Sequence, residues 1–249
     1  MNNKKNGPVK KSVRKPGRPR KRDSRKLSRE AVIRRGMKLA ADMPMGEVSI
    51  VRLAKDLSVT PALIHYYLDG GRDALTSGII NRFYAQVLKK WPTPDGDWRQ
   101  QVTEASKHIN RQLIRYPGIA SYLKMHNRFR VFQLVRPGET DFGVLFLEKL
   151  IGVMCSAQLP NERTGILSHL MMEFLLSSAH NTAHYRWPKE HLKFLEEKLS
   201  SLDPEQFPNL IATGYLVGRL DSEQAFENGL NLFIQGLDSE RRLARKRSK

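Results

Sequence analysis

Clusters of proline and glycine cut this 249-residue chain into lengths that suit helices and little else. Met43-Pro44-Met45-Gly46, the run Trp91-Pro92-Thr93-Pro94-Asp95-Gly96, Tyr116-Pro117-Gly118 and Arg136-Pro137-Gly138 each combine a residue without an amide hydrogen with one that accepts unusual backbone angles. Between them apolar residues recur at helical spacing, as in Ala31, Val32, Met37, Leu39 and Ala40. No convincing run alternates with the two-residue period of a strand, so the predicted fold class is all-α. Helices are expected over 28–42, 50–57, 61–68 and 73–91. Beyond the 91–96 break they are expected over 97–116, 119–134, 140–157, 161–184, 188–200, 204–216 and 222–238. That break divides a small N-terminal domain, 27–91, from a larger helical one, 97–239.

Charge separates the ends from the body. Residues 1–27 hold twelve Lys or Arg against Asp23 alone, and 240–249 hold six against Glu240. Of the net +18, only +2 is left for everything between. The ends are therefore read as a basic arm, 1–26, and a basic tail, 240–249, that attract a polyanion, either nucleic acid or an anionic membrane surface. The arm holds Gly7, Pro8, Pro16, Gly17 and Pro19 with few aliphatics, a composition that cannot bury a core. Cys155 stands alone, which excludes an intrachain disulfide framework and a cysteine-rich zinc site and fits a reducing, cytoplasmic setting. The basic start has no apolar segment after it, unlike a signal peptide. The most apolar stretch, 142–159, is broken by Glu148 and Lys149, which argues against a membrane span.

The functional signal concentrates between Ile50 and Tyr67. Ser49 is placed to cap one short helix, and Thr60 followed by Pro61 opens the next. Proline in a first turn sacrifices only an amide that the helix would leave unpaired. Ile50, Leu53, Leu57, Val59, Ile64 and Tyr67 supply packing positions, with Ala54 as the small residue where the helices approach. Thr60, Pro61, Ala62, His65 and Tyr66 fall on the outer side. This is the pattern of a helix-turn-helix whose second helix leaves a face free for base edges.

The run Leu53-Ala54-Lys55-Asp56-Leu57-Ser58-Val59-Thr60-Pro61-Ala62-Leu63-Ile64-His65-Tyr66-Tyr67-Leu68, followed by Arg72-Asp73-Ala74-Leu75, resembles the DNA-binding segment of the tetracycline-repressor (TetR) family. The likeness extends over about residues 28–90. It implies a three-helix reading head on a larger C-terminal regulatory and dimerisation domain, in a transcriptional regulator without enzymatic activity. It further implies that Thr60 bonds a phosphate, that His65 and Tyr66 meet phosphate or base edges, and that Arg72 clamps the DNA backbone. Ser49, Pro61 and Ala62 complete the contact set. Tyr67 is read instead as packing. The chain departs from the family at Ser58, where glycine is usual, and in the ending His65-Tyr66-Tyr67-Leu68, with an extra glycine before Arg72.

In the arm, Pro16-Gly17-Arg18-Pro19-Arg20-Lys21-Arg22 resembles an AT-hook. Proline keeps such a strip extended, and the narrow minor groove of A·T-rich DNA favours arginine, here Arg18 and Arg20. A solvated arm that attracts DNA without entering a groove is the other reading.

Resemblance thins in the second domain. Trp98 opening a helix, and the final segment Phe226 to Leu237, are similar to many members. The resemblance implies a homodimer in which the 161–184 helix and the last helix pair with their twofold mates. Leu167, Leu170, Met171, Phe174, Leu230, Phe233 and Ile234 are the candidates for that interface, against the plainer reading of intradomain core. It also implies a small-molecule effector, of unassigned identity, for which Met125, Phe129, Phe146, Met154 and Met172 are candidate pocket residues, again against core packing. His169, Glu173, His180 and His184 share a stripe on the 161–184 helix, open to readings as a polar seam or as exposed side chains; without an accompanying cysteine no metal site is assigned. No nucleophile elbow, phosphate-cradling glycine loop or cofactor motif occurs. The expected function is a regulator, acting as a repressor, that binds a palindromic operator on double-stranded DNA as a homodimer and is released by an effector. The competing expectation is an architectural DNA-binding protein without an inducer.

Overall fold

The structure is a computed structural model that describes residues 27–93, 96–126, 133–184, 189–217 and 221–247. Arg18, Arg20 and Phe129 lie outside the described residues, as does the side chain of His184. Every regular element among the described residues is helical, as the breaker pattern predicts.

The head contains α1 (Arg29–Leu39), a single 3-10 turn (Met45–Glu47), α2 (Ile50–Asp56), α3 (Pro61–Leu68) and α4 (Gly71–Lys89). The larger domain contains α5 (Trp98–Arg115), α6 (Pro117–Met125), α7 (Phe142–Cys155), α8 (Asn161–His184), α9 (Lys189–Ser200), α10 (Pro208–Val217) and α11 (Ser222–Arg247). Their starts follow from side chains able to satisfy first-turn amides. Ser28 Oγ accepts from the Ala31 amide at 3.2 Å, Ser49 Oγ from Arg52 at 3.1 Å and Thr60 Oγ1 from Leu63 at 3.3 Å. Asp97, Asp141 and Asp221 do the same for α5, α7 and α11. Backbone and side-chain hydrogen bonds to Gln100 and Arg99 hold the exposed Asp97 carboxyl below its ordinary range.

Helix α4 belongs to both domains. Along its length it packs on α1 in the head and on α7 in the body, while α5, α6, α7 and α11 gather around α8. At the α1–α4 crossing two glycines face two isoleucines: a Cβ on Gly36 would lie 2.6 Å from Ile79 Cδ1, and one on Gly78 would lie 2.5 Å from Ile33 Cδ1. Each isoleucine fills the space that a side chain would have taken. One continuous core runs from Val32, Leu53 and Ile64 in the head through Ile79 and Tyr84 on α4 to Phe146, Met171 and Leu175 in the body. Tyr84 stacks on Phe146 with ring centroids 4.7 Å apart.

Two expected boundaries shift furthest. The helix expected over 119–134 stops at Met125: His126 has extended backbone angles and its ring lies over Tyr122, 4.4 Å between centroids. Gln133 and Leu134 are not helical, and their strip runs alongside α4 instead. At the other end, the helix expected to finish at 238 continues to Arg247 and takes most of the basic tail into α11. Arg163 of α8 bonds Glu240 through two nitrogens, at 2.7 and 3.1 Å, and Arg99 of α5 bonds Asp238 at 2.6 Å, so acids on that last stretch hold the helix to its surroundings.

Candidate nucleic-acid interface

The turn between α2 and α3 sets the reading face. Ser58 takes a left-handed backbone, φ 56°, where a glycine would be at ease. The Ser58 amide donates to the Lys55 carbonyl at 3.2 Å and the Val59 amide to the Ala54 carbonyl at 2.9 Å, the paired bonds of a Schellman motif. A backbone conformation that favours glycine is therefore held by serine. Arg35 on α1 fastens the end of α2 by bonding Asp56 through Nε and, at 2.6 Å, through Nη2. That forked hydrogen bond holds the Asp56 carboxyl below its ordinary range and raises the Arg35 guanidinium.

With Ile64 and Leu68 in the core, the opposite side of α3 is left to solvent. Thr60, Pro61, Ala62, His65 and Tyr66 are all exposed, Tyr66 by 77%. Thr60 and Ser49 already accept cap hydrogen bonds from amides, which leaves each hydroxyl proton available to donate to a phosphate oxygen. Tyr67 is half-buried and meets Tyr66 edge to face at 5.5 Å. Arg72 is exposed and donates to the Gly46 carbonyl at 3.0 Å, so it ties the start of α4 to the turn before α2. Val51, Arg52 and Lys55 on α2 are exposed as well, a set absent from the candidates drawn from sequence. Their exposure could have been read from Ile50, Leu53 and Ala54 occupying the buried phase of the same helix.

The body grips this head at two places that spacing alone does not reveal. Gly118 in the first turn of α6 donates to the Ala40 carbonyl at 3.1 Å. Arg136, in a strip entering α7, reaches across to the end of the recognition helix and donates through Nη2 to the carbonyls of Leu68 at 2.7 Å and Tyr67 at 3.3 Å. Helices end with unpaired carbonyls, and a guanidinium there satisfies both their bonds and their dipole. The same strip is pinned by Glu139 to Arg29 of α1 at 2.6 Å, by the Leu134 amide to Ser77 Oγ at 3.1 Å, and by Asn81, which bonds the Thr140 carbonyl and the Phe142 amide.

The second-domain candidates separate by burial. Phe146, Met154 and Met172 are buried in the core, and Phe146 packs between Tyr84 and Trp91. Met125 is 72% exposed, at the end of α6. Of the interface candidates, Leu167, Met171 and Leu230 are buried within the protomer itself, which fits the plainer reading of intradomain core for those three. Phe174 is half-buried, stacked on Phe226 at 5.8 Å, and its ring fills the space above Gly229. Phe233 and Ile234 are half-buried and Leu170 is exposed, as are two further apolar residues, Ile166 on α8 and Leu232 on α11. On the histidine stripe, His169 is exposed and 4.0 Å from Glu173, while His180 Nδ1 lies 3.0 Å from Ser121 Oγ on α6. Among the described residues no group of three His, Cys, Asp or Glu is disposed to hold a metal ion, and no helix is long and apolar enough to cross a membrane.

An exposed, capped recognition helix presented by a helical body defines a helix-turn-helix transcriptional regulator. Residues 92–241 match the family described as tetracyclin repressor-like, C-terminal domain, and the chain belongs to that family of non-enzymatic transcription factors. The fold agrees. ActR from Streptomyces coelicolor, without ligand, superimposes with a TM-score of 0.70 at 22% identity over 86% of this chain and 98% of that one. The same protein in complex with actinorhodin gives 0.70 at 22%, over 86% and 96%. BioQ of Mycobacterium smegmatis gives 0.57 at 18%, over 86% and 99%. A comparison with curated protein sequences gave no match.

Proposed function

We propose that this regulator is a repressor that binds a palindromic operator as a homodimer and leaves it when a small molecule occupies the C-terminal domain. The observation that carries the reading is the outer face of α3, where a hydroxyl donor, an imidazole and a tyrosine stand exposed together while the helix's apolar side is held in the core. One such head spans few base pairs, so a twofold pair reading two half-sites is the economical way to specificity. The exposed Ile166, Leu170 and Leu232, on the two helices that the family pairs across its dimer, support that assembly. ActR in complex with actinorhodin supports an effector for this fold. Arg136 and Gly118 are the contacts through which a shift in the body would reach the reading head.

The test is footprinting on genomic fragments with wild-type chain and with His65→Ala and Tyr66→Ala. The expected result is a protected palindrome for the wild type and affinity lowered at least tenfold in each variant, with helicity unchanged. Broad A·T-rich protection without symmetry would instead establish the architectural role, and unaltered affinity in both variants would remove the α3 face from the interface.

A further inference from the structure

A second cationic site lies where the head meets the body. A cleft of about 390 Å³ opens between α4 and α5, and its walls carry Arg82, Lys89, Lys90 and Arg115 around the side chains of Gln86 and Gln112. Among the described residues no carboxylate lines it. Among the described residues neither lysine has an acid within ion-pair distance, and Arg115 meets only the face of Tyr116, 5.8 Å away. Arg82 alone has an acidic neighbour, Glu30 of α1 at 3.1 Å. Four cations so close together repel one another, and the body between the basic ends carries a net charge of only +2, so the concentration is local.

The floor of the cleft is oriented to donate. The Tyr116 hydroxyl donates to Gln86 Oε1 at 3.2 Å, which turns Gln86 Nε2 toward Gln112 Oε1 at 3.3 Å. With its oxygen taken, Gln112 has its Nε2 amide hydrogens to offer. Operator DNA is not the occupant. Lys89 lies 17 residues beyond Arg72 on one continuous helix, about 26 Å along its axis. Cations without acceptors, in a space of small-molecule size, suit a ligand whose own atoms are all acceptors. Lysine binds phosphate as a point charge, and arginine binds it through a fork.

We propose that the α4–α5 cleft binds a small, multiply charged phosphate compound. The site goes beyond the operator reading and does not depend on it, so its test contains no DNA. Inorganic pyrophosphate is titrated calorimetrically into the full chain at fixed ionic strength. The comparison variants are Lys89→Gln with Arg115→Gln, which empties the cleft of two cations, and Lys10→Gln with Lys11→Gln, which removes the same charge from the basic arm. The expected result is one saturable site per chain, weakened at least tenfold by the cleft pair and less than twofold by the arm pair. Glu30→Gln, which frees Arg82, strengthens binding two- to fivefold. The proposal is overturned if pyrophosphate shows no saturable binding, if the arm pair weakens it as much as the cleft pair, or if neither the cleft pair nor Glu30→Gln alters it.

Discussion

Replacing Gly118 by alanine tests the joint between body and head. An alanine Cβ would stand 2.1 Å from the Met43 carbonyl oxygen and 2.7 Å from that of Ala40, both backbone atoms that cannot rotate aside. Relief requires a separation of about 1 Å between α6 and the end of α1, since carbon and oxygen in contact lie more than 3 Å apart. Overpacking of this kind costs about 1–3 kcal/mol. The bond from the Gly118 amide to Ala40 would stretch with it, losing about 1 kcal/mol. Alanine's helical preference over glycine returns up to about 1 kcal/mol. The net loss of about 1–3 kcal/mol corresponds to a melting temperature lowered by about 2–12 °C for a chain of this size. Gly152→Ala on α7 is the control: its Cβ would meet nothing within 4 Å, so the helical preference acts alone and raises the melting temperature by about 2–4 °C. Thermal melts followed by circular dichroism distinguish the two. If Gly118→Ala melts at or above wild type, the close approach of α6 to the head is wrong.

Three further perturbations probe the head. Arg136→Gln removes a charged donor from the end of α3, a part-buried contact that contributes about 1 kcal/mol; hydrogen exchange should quicken in α3 and remain unaltered in α5, and equal exchange in α3 would show that the clasp does not hold the recognition helix. Ser58→Gly removes the strain of a left-handed serine, about 1 kcal/mol, against a smaller loss from glycine's freedom in the unfolded chain, so urea midpoints should rise slightly; a fall would assign the serine hydroxyl a contact of its own. Asp56→Asn should cost about 0.5–1 kcal/mol at neutral pH, where the partly exposed pair with Arg35 is fully formed. The folded-state carboxyl titrates below its unfolded value, so its contribution is present above about pH 4 and is lost as pH falls through the lowered value. Urea melts of the two chains should therefore converge in acid, and a gap that persists at pH 2 would exclude the ion pair as its cause.

Much of the head is legible in the sequence because its determinants are local. A cap bonds an amide two or three residues away, and Thr60-Pro61 marks the start of α3 to the residue. Serine at position 58 announces a departure from the family but not its outcome; the hydrogen bonds of the surrounding turn decide that the left-handed angle is kept. The end of α6 was not legible, since nothing in residues 119–134 breaks a helix before Pro137. There the departure is set by what the strip bonds to, Ser77, Asn81 and the tip of α3, all more than fifty residues away. The apolar stripes of α8 and α11 likewise carry no mark telling Met171, which is buried in its own protomer, from Leu170, which is not.

By itself the sequence determined the helical class, the start of each reading helix and the candidate face for DNA, because periodicity and capping depend on neighbours within one or two turns. Only the tertiary structure decided that α4 serves both domains, that Arg136 and Gly118 join body to head, and that Arg82, Lys89, Lys90 and Arg115 converge on one cleft. These depend on which faces of distant helices meet. Packing between helices settles that through shape and burial summed over the whole core, and no short window of residues contains the sum.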